Sequence, residues 1–169
     1  FEIELIAEHF KEADIQIGYS KAVNGKIKNQ IFDKLKFNST YIESYINETG
    51  SEISSTLFHE GEKVFSLNEK NLLHAGLKNI KITLYFLNAY KKSYFKRQTG
   101  IRSIDFGSVF LFLNGFRVAP YGERGNDWLG LDIRKAQGQT RFFGNRDIIG
   151  RIELNDWEEN FKPISSPEV

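Results

Sequence analysis

Hydrophobic and polar positions alternate over short spans through most of this chain. Phe1, Ile3 and Leu5 alternate with Glu2 and Glu4, and Ile15 with Ile17, each reading as a half-buried strand. Tyr41–Ile46 is rich in β-formers, Glu48-Thr49-Gly50 is a turn, and Glu52–Phe58 resumes as a strand. His59-Glu60-Gly61 turns the chain again into a third strand over Lys63–Leu67, completing a meander. Residues 68–78 read as a short helical or irregular connector, and Ile80, Ile82, Leu84 and Phe86 share one parity of a further strand. Lys91–Arg97 fits either a helical turn or a loop. Val109–Leu113 and Phe116–Val118 flank Asn114-Gly115, the dipeptide that accepts positive φ at both turn positions, so a tight hairpin is predicted there.

After Pro120 the texture becomes glycine-rich and charged. Asp127 stands where it can cap a short helix from Leu131 to Gln137, with Gly138 as its stop, and Asn145 where it can cap a turn before a last strand, Ile148–Leu154. Trp128 fits an anchor that fixes this loop in the core. The tail from Asn155 to Val169 is acidic and holds two of the three prolines, which predicts extended chain. The pattern as a whole predicts an α+β fold of mainly antiparallel strands with a few short helices packed on them. The length of 169 residues suits one domain, with residues 1–90 forming a meander part, 91–154 a second block and 155–169 a tail.

Composition narrows the chemistry. The chain has no Cys, which removes disulfides, thiolate metal sites and thiol nucleophiles. His9, His59 and His74 have no ligand spacing, so no metal site is expected. No apolar run approaches the roughly 20 residues of a membrane helix. A start at Phe1, the absence of Met and the lack of an export signal suggest a piece of a longer, cytoplasmic chain.

The formal net charge of +1 hides three unlike parts: −2 over residues 1–90, +7 over 91–151 and −4 over 152–169. Every Arg lies between Arg97 and Arg151. Arginine makes planar bidentate contacts with carboxylate and phosphate, so this block is the natural place for a contact surface. Five acidic residues within it, Asp105, Glu123, Asp127, Asp132 and Asp147, are available to neutralise twelve bases. Aromatics interleave with the bases, which also fits a nucleic-acid-binding module.

No Gly-x-x-x-x-Gly-Lys-Ser/Thr, Gly-x-Gly-x-x-Gly or Gly-x-Ser-x-Gly pattern occurs. Asp127 and Asp132 are carboxylates of the acid–base type, but helix capping and pairing with neighbouring Arg describe them better, and no catalytic residue is assigned.

Two segments carry a resemblance. Gly115-Phe-Arg-Val-Ala-Pro-Tyr-Gly-Glu-Arg-Gly-Asn-Asp-Trp-Leu-Gly-Leu-Asp-Ile-Arg-Lys-Ala-Gln-Gly138 and Asn145-Arg-Asp-Ile-Ile-Gly-Arg-Ile-Glu153 resemble a block found in bacterial ATP-binding proteins of the gyrase, heat-shock-chaperone, histidine-kinase and MutL (GHKL) superfamily. The likeness is strong over about the last seventy residues and loose over the first ninety. It implies the transducer region that follows the ATPase domain, with a fold like the second domain of ribosomal protein S-five. It also implies ATP and Mg in the parent chain, and as partners an upstream ATPase domain of the same chain and a homodimer mate. The motifs of the ATPase module itself are missing here, so the fragment is not expected to turn over ATP alone. Transducers of this kind supply a basic residue to the γ-phosphate. By position that residue would come from the segment Lys162–Val169, where Pro167 stands in place of the expected Arg, so the sensor has moved to Lys162, is supplied by the Arg cluster, or is absent. Arg117, Arg134, Lys135 and Arg146 are then the interdomain or phosphate contacts, and Asp127, Trp128 and Asp132 organise the loop that presents them.

Overall fold

The structure, a computed structural model, describes residues 4–5, 25–26, 39–73 and 76–156. The expected strand at Ile15–Ile17 and the tail from residue 157 onward, with Lys162 and Pro167, lie outside the described residues. Two short strands, β1 (Glu4–Leu5) and β2 (Gly25–Lys26), pair antiparallel as a separate ladder.

The meander forms as its β-rich runs and intervening turns predict. Strands β3 (Thr40–Ile46), β4 (Glu52–His59) and β5 (Glu62–Lys70) are consecutive antiparallel neighbours. Asn47 closes the first turn: its side-chain oxygen accepts from the Ser51 and Glu52 amides at 2.8 and 3.2 Å. Strand β5 runs three residues beyond Leu67, so the chain between 68 and 70 is strand, and the described residues from 71 to 79 contain no helix.

Strand β6 (Ile80–Phe86) pairs with β3 on one side and with β9 (Ile148–Leu154) on the other. Strand β7 (Val109–Leu113) runs parallel to β9, and β8 (Phe116–Val118) returns antiparallel to β7. The result is a seven-stranded, mostly antiparallel sheet in the order β5-β4-β3-β6-β9-β7-β8. Among the described residues three short helices complete an α+β fold: α1 (Ala89–Thr99), α2 (Ser103–Phe106) and α3 (Leu131–Ala136). The strand–turn–strand at 114–115 is as predicted, with φ of +50° at Asn114 and +86° at Gly115.

The basic segment after β6 resolves the choice between loop and helix. Asn88 caps α1 by accepting from the Lys91 amide at 2.9 Å, and Gly100, in the left-handed region at φ +76°, ends it. Phe95 is the one residue of this helix that is fully buried. It enters a core with Tyr41, Tyr85, Leu87 and Ile149. The register puts Tyr41 beside Phe58 and Tyr85, and Tyr85 beside Ile149, so these side chains share one face. Tyr41 stacks on Phe58 with centroids 4.7 Å apart, and Phe95, Phe106 and Phe110 meet edge to face at 5.3 and 5.4 Å. Each such pair contributes about 1 kcal/mol beyond the area it buries. The core therefore draws on both the meander and the Arg-rich block. Among the described residues no helix is long and apolar enough to cross a membrane.

Candidate functional site

A parallel pair of adjacent strands needs a crossover between them, and the crossover from β7 to β9 contains most of the arginines. Its first part lies directly on the backbone of β7. The Ser108 amide donates to the Gly122 carbonyl at 2.9 Å. A Cβ at Gly122 would come within 2.3 Å of the Val109 carbonyl oxygen, and Gly122 has φ of +81°, so only glycine fits this approach. The Trp128 indole N–H donates to that same carbonyl at 2.9 Å, and its ring meets Tyr121 edge-on at 5.0 Å. Trp128 is half-buried and fastens the loop to the strand by this bond.

Asp127 organises the entry into α3. Its carboxylate accepts from the amides of Leu131, Asp132 and Ile133 at 2.7, 3.1 and 3.3 Å, satisfying donors that the first turn of the helix leaves open. Gly130 in the left-handed region lets the chain turn from Asp127 into the helix. Asn145 caps no turn of its own. Its side-chain amide donates to Asp127 at 2.6 Å and to Asp132 at 3.2 Å, and its backbone amide donates to Asp132 at 2.9 Å. The geometry favours this cross-link because an amide group supplies two donors to two carboxylates that would otherwise repel. Burial raises the pKa of Asp127, but the hydrogen bonds from Asp132, Asn145, Ile133 and Leu131 outweigh it and hold the carboxyl below its usual range. A carboxylate so held is an acceptor at neutral pH and is poorly suited to donate a proton.

Asp147 ties the block to the rest of the fold. It accepts from the Lys92 ammonium on α1 at 2.8 Å, from the Lys135 ammonium on α3, and from the Gly144 amide at 3.1 Å. Burial raises this carboxyl, yet the hydrogen bonds from Lys135, Lys92 and Gly144 bring it down to about 2. Gly144 sits so close to the helix that a Cβ there would be 2.5 Å from an oxygen of Asp132.

The proposed contact residues are dispersed. Arg117, on the edge strand β8, lies over the Phe110 ring at 4.5 Å and reaches Glu123 at 3.5 Å. Arg134 is exposed on α3, with its guanidinium 4.9 Å from the Phe142 ring. Lys135 is committed to Asp147, which makes it a structural residue first. Arg146 is exposed and pairs with no acidic group among the described residues. Lys162 lies outside the described residues.

Arg146 and Arg124 flank a cleft of about 200 Å³ whose walls include Ser108, Asn126, Asp132 and Asn145. Arg124 also reaches Asp105 at 3.2 Å, and Asp105 is held below its usual pKa chiefly by its hydrogen bond from Arg102. Glu123 and Asp132 also line this cleft, so with Arg124 already paired to Asp105 the lining cation with no acidic partner among the described residues is Arg146. Among the described residues no group of three or more His, Asp or Glu side chains is placed to hold a metal ion.

Lys92, Arg124 and the linking role of Asn145 were not singled out by sequence. Lys92 is 55 positions from Asp147, and no local pattern links them. Searches for known proteins related to this chain return nothing: no family model, no curated protein and no solved structure matches.

Proposed function

We propose that this chain is a non-catalytic transducer domain of a cytoplasmic GHKL-type ATPase, similar in fold to the second domain of ribosomal protein S-five. In this reading it relays the nucleotide state of an upstream ATPase domain to domain rearrangement or dimerisation. One observation carries most of the support. The segment that bears the resemblance is a pinned unit in which the carboxylates of Asp127, Asp132 and Asp147 accept hydrogen bonds from within the unit and from α1, while Arg146 lines a cleft and remains exposed. A rigid frame holding out a guanidinium is what a coupling contact needs. The cation meets phosphate or carboxylate on the neighbouring domain in one nucleotide state, and the frame transmits the resulting movement. ATP and Mg would be held by the parent's ATPase domain, with this chain contributing charge at most.

The test joins residues 1–169 to the ATPase domain they are proposed to serve and compares Arg146→Ala with the parent sequence. ATP turnover or ATP-dependent dimerisation is expected to fall at least about tenfold, with the unfolding midpoint unchanged. Unaltered turnover together with unaltered dimerisation would overturn the reading.

A further inference from the structure

The sheet has two edges, and the one opposite the Arg-rich block is unusual. Among the described residues β5 pairs with β4 alone, so its other side presents a row of backbone donors and acceptors. All nine residues of β5 are exposed, including Val64 at 56%, Phe65 at 49% and Leu67 at 50%. We propose that this edge pairs with β5 of a second copy of the chain, antiparallel and about a two-fold axis at Ser66, to form a continuous sheet across the dimer.

The strand's own sequence selects this occupant and this register. Glu62-Lys63-Val64-Phe65-Ser66-Leu67-Asn68-Glu69-Lys70 is a palindrome of opposite charge. With Ser66 facing Ser66 of the second copy, Glu62 lies opposite Lys70 and Lys63 opposite Glu69, each pair occurring twice by symmetry. Phe65 lies opposite Leu67 on both sides of the axis. These two side chains share a sheet face, because Phe65 registers with Leu57 and Leu67 with Ser55 on β4. Directly opposed apolar and opposite-charge pairs are the stabilising units of an antiparallel ladder.

Neighbouring registers lose these pairs. A slip of one residue sets Lys63 against Lys70 or Glu62 against Glu69. A slip of two sets Phe65 against Glu69 or Lys63 against Leu67. In-register parallel pairing stacks every charge on its like. The bulge between β4 and β5 falls at Val64, outside the three central pairs, and the long Glu and Lys side chains span the displacement it causes. Charged residues on an edge strand normally deter edge-to-edge pairing. Here they oppose like charges in the one-residue slips and in the parallel pairing, and complement each other in the two-fold register.

The interface is small, so a weak, reversible dimer is expected. It uses the edge farthest from the Arg-rich crossover and does not rest on the coupling reading. The test is sedimentation velocity of the 169-residue chain over a wide concentration series. The unmodified chain is expected to show a monomer–dimer equilibrium. The double variant Lys63→Glu, Lys70→Glu, which turns all four charged pairs repulsive, is expected to weaken dimerisation at least about tenfold. Adding Glu62→Lys and Glu69→Lys reverses every sign and is expected to restore the dimer, a rescue that misfolding or general acidity would not produce. A chain that stays monomeric to millimolar concentration overturns the proposal. So does a dimer that ignores the double variant, or one the fourfold variant fails to restore.

Discussion

Asp147 is a single carboxylate that links α1, α3 and the loop before β9, because it accepts from Lys92, Lys135 and the Gly144 amide at once. Its folded-state pKa of about 2 lies below the ordinary 3.8. A depressed carboxyl contributes stability above its unfolded value and loses that contribution as pH falls through the folded one. The chain is therefore expected to lose about 2 kcal/mol of stability between about pH 4 and pH 2 through this residue. Asp147→Asn is expected to cost about 2 kcal/mol at neutral pH, measured by urea unfolding, and to flatten that acid limb. The Arg102–Asp105 pair is a useful contrast: it has good fork geometry but is solvent-exposed, so screening leaves it little to contribute. Burial and the number of donors, rather than the presence of an ion pair, decide which carboxylate matters.

At the scale of elements, α3 has six residues and is too short to persist on its own. It stands because Asp127 satisfies three of its first amides and Asn145 holds Asp127 in place. Asp127→Ala is expected to cost about 1–2 kcal/mol and to speed amide exchange over Leu131–Ala136, read by hydrogen–deuterium exchange, while β3 to β6 stay protected. The hairpin at Asn114-Gly115 is the opposite case, since its turn chemistry lies within two adjacent residues and was legible without any tertiary information. The α1 segment was not legible as helix. Its bases and aromatics lack a clear apolar stripe, and it is held instead by the Asn88 cap, the buried Phe95 and the Lys92–Asp147 pair.

For the whole molecule, the charge count alone overstated the free positive surface. Of the twelve bases in residues 91–151, seven form ion pairs with partners among the described residues: Lys91, Lys92, Arg102, Arg117, Arg124, Lys135 and Arg151. The fold recruits Glu60 and Glu153 from outside the block, while Asp105 and Asp147 each take two cations. This weakens the nucleic-acid alternative, because a phosphate-tracking surface needs bases that are not already paired. A salt titration with short DNA is expected to show at most weak binding with a shallow slope. A slope on the order of ten released counterions would restore the alternative. The same sheet carries unlike edges, β8 with Arg117 at one and the charge palindrome of β5 at the other, so contacts at the two need not compete.

The sequence by itself determined the features whose causes are local. β-rich and apolar runs between turn residues specified β3, β4 and β9, a shared parity of apolar positions specified β6, the Asn-Gly turn specified β7 and β8, and an acidic residue ahead of Leu131 specified α3. Only the tertiary structure decided that β9 inserts between β6 and β7, because pairing order depends on how the remaining apolar faces are covered. It also decided that Lys135 is bound internally, that Asn145 joins two aspartates rather than capping a turn, and that Arg146 stays exposed beside a cleft. Each of these depends on which distant side chain arrives within hydrogen-bonding distance, and that is set by the packed sheet, where one residue's partner can be 55 positions away.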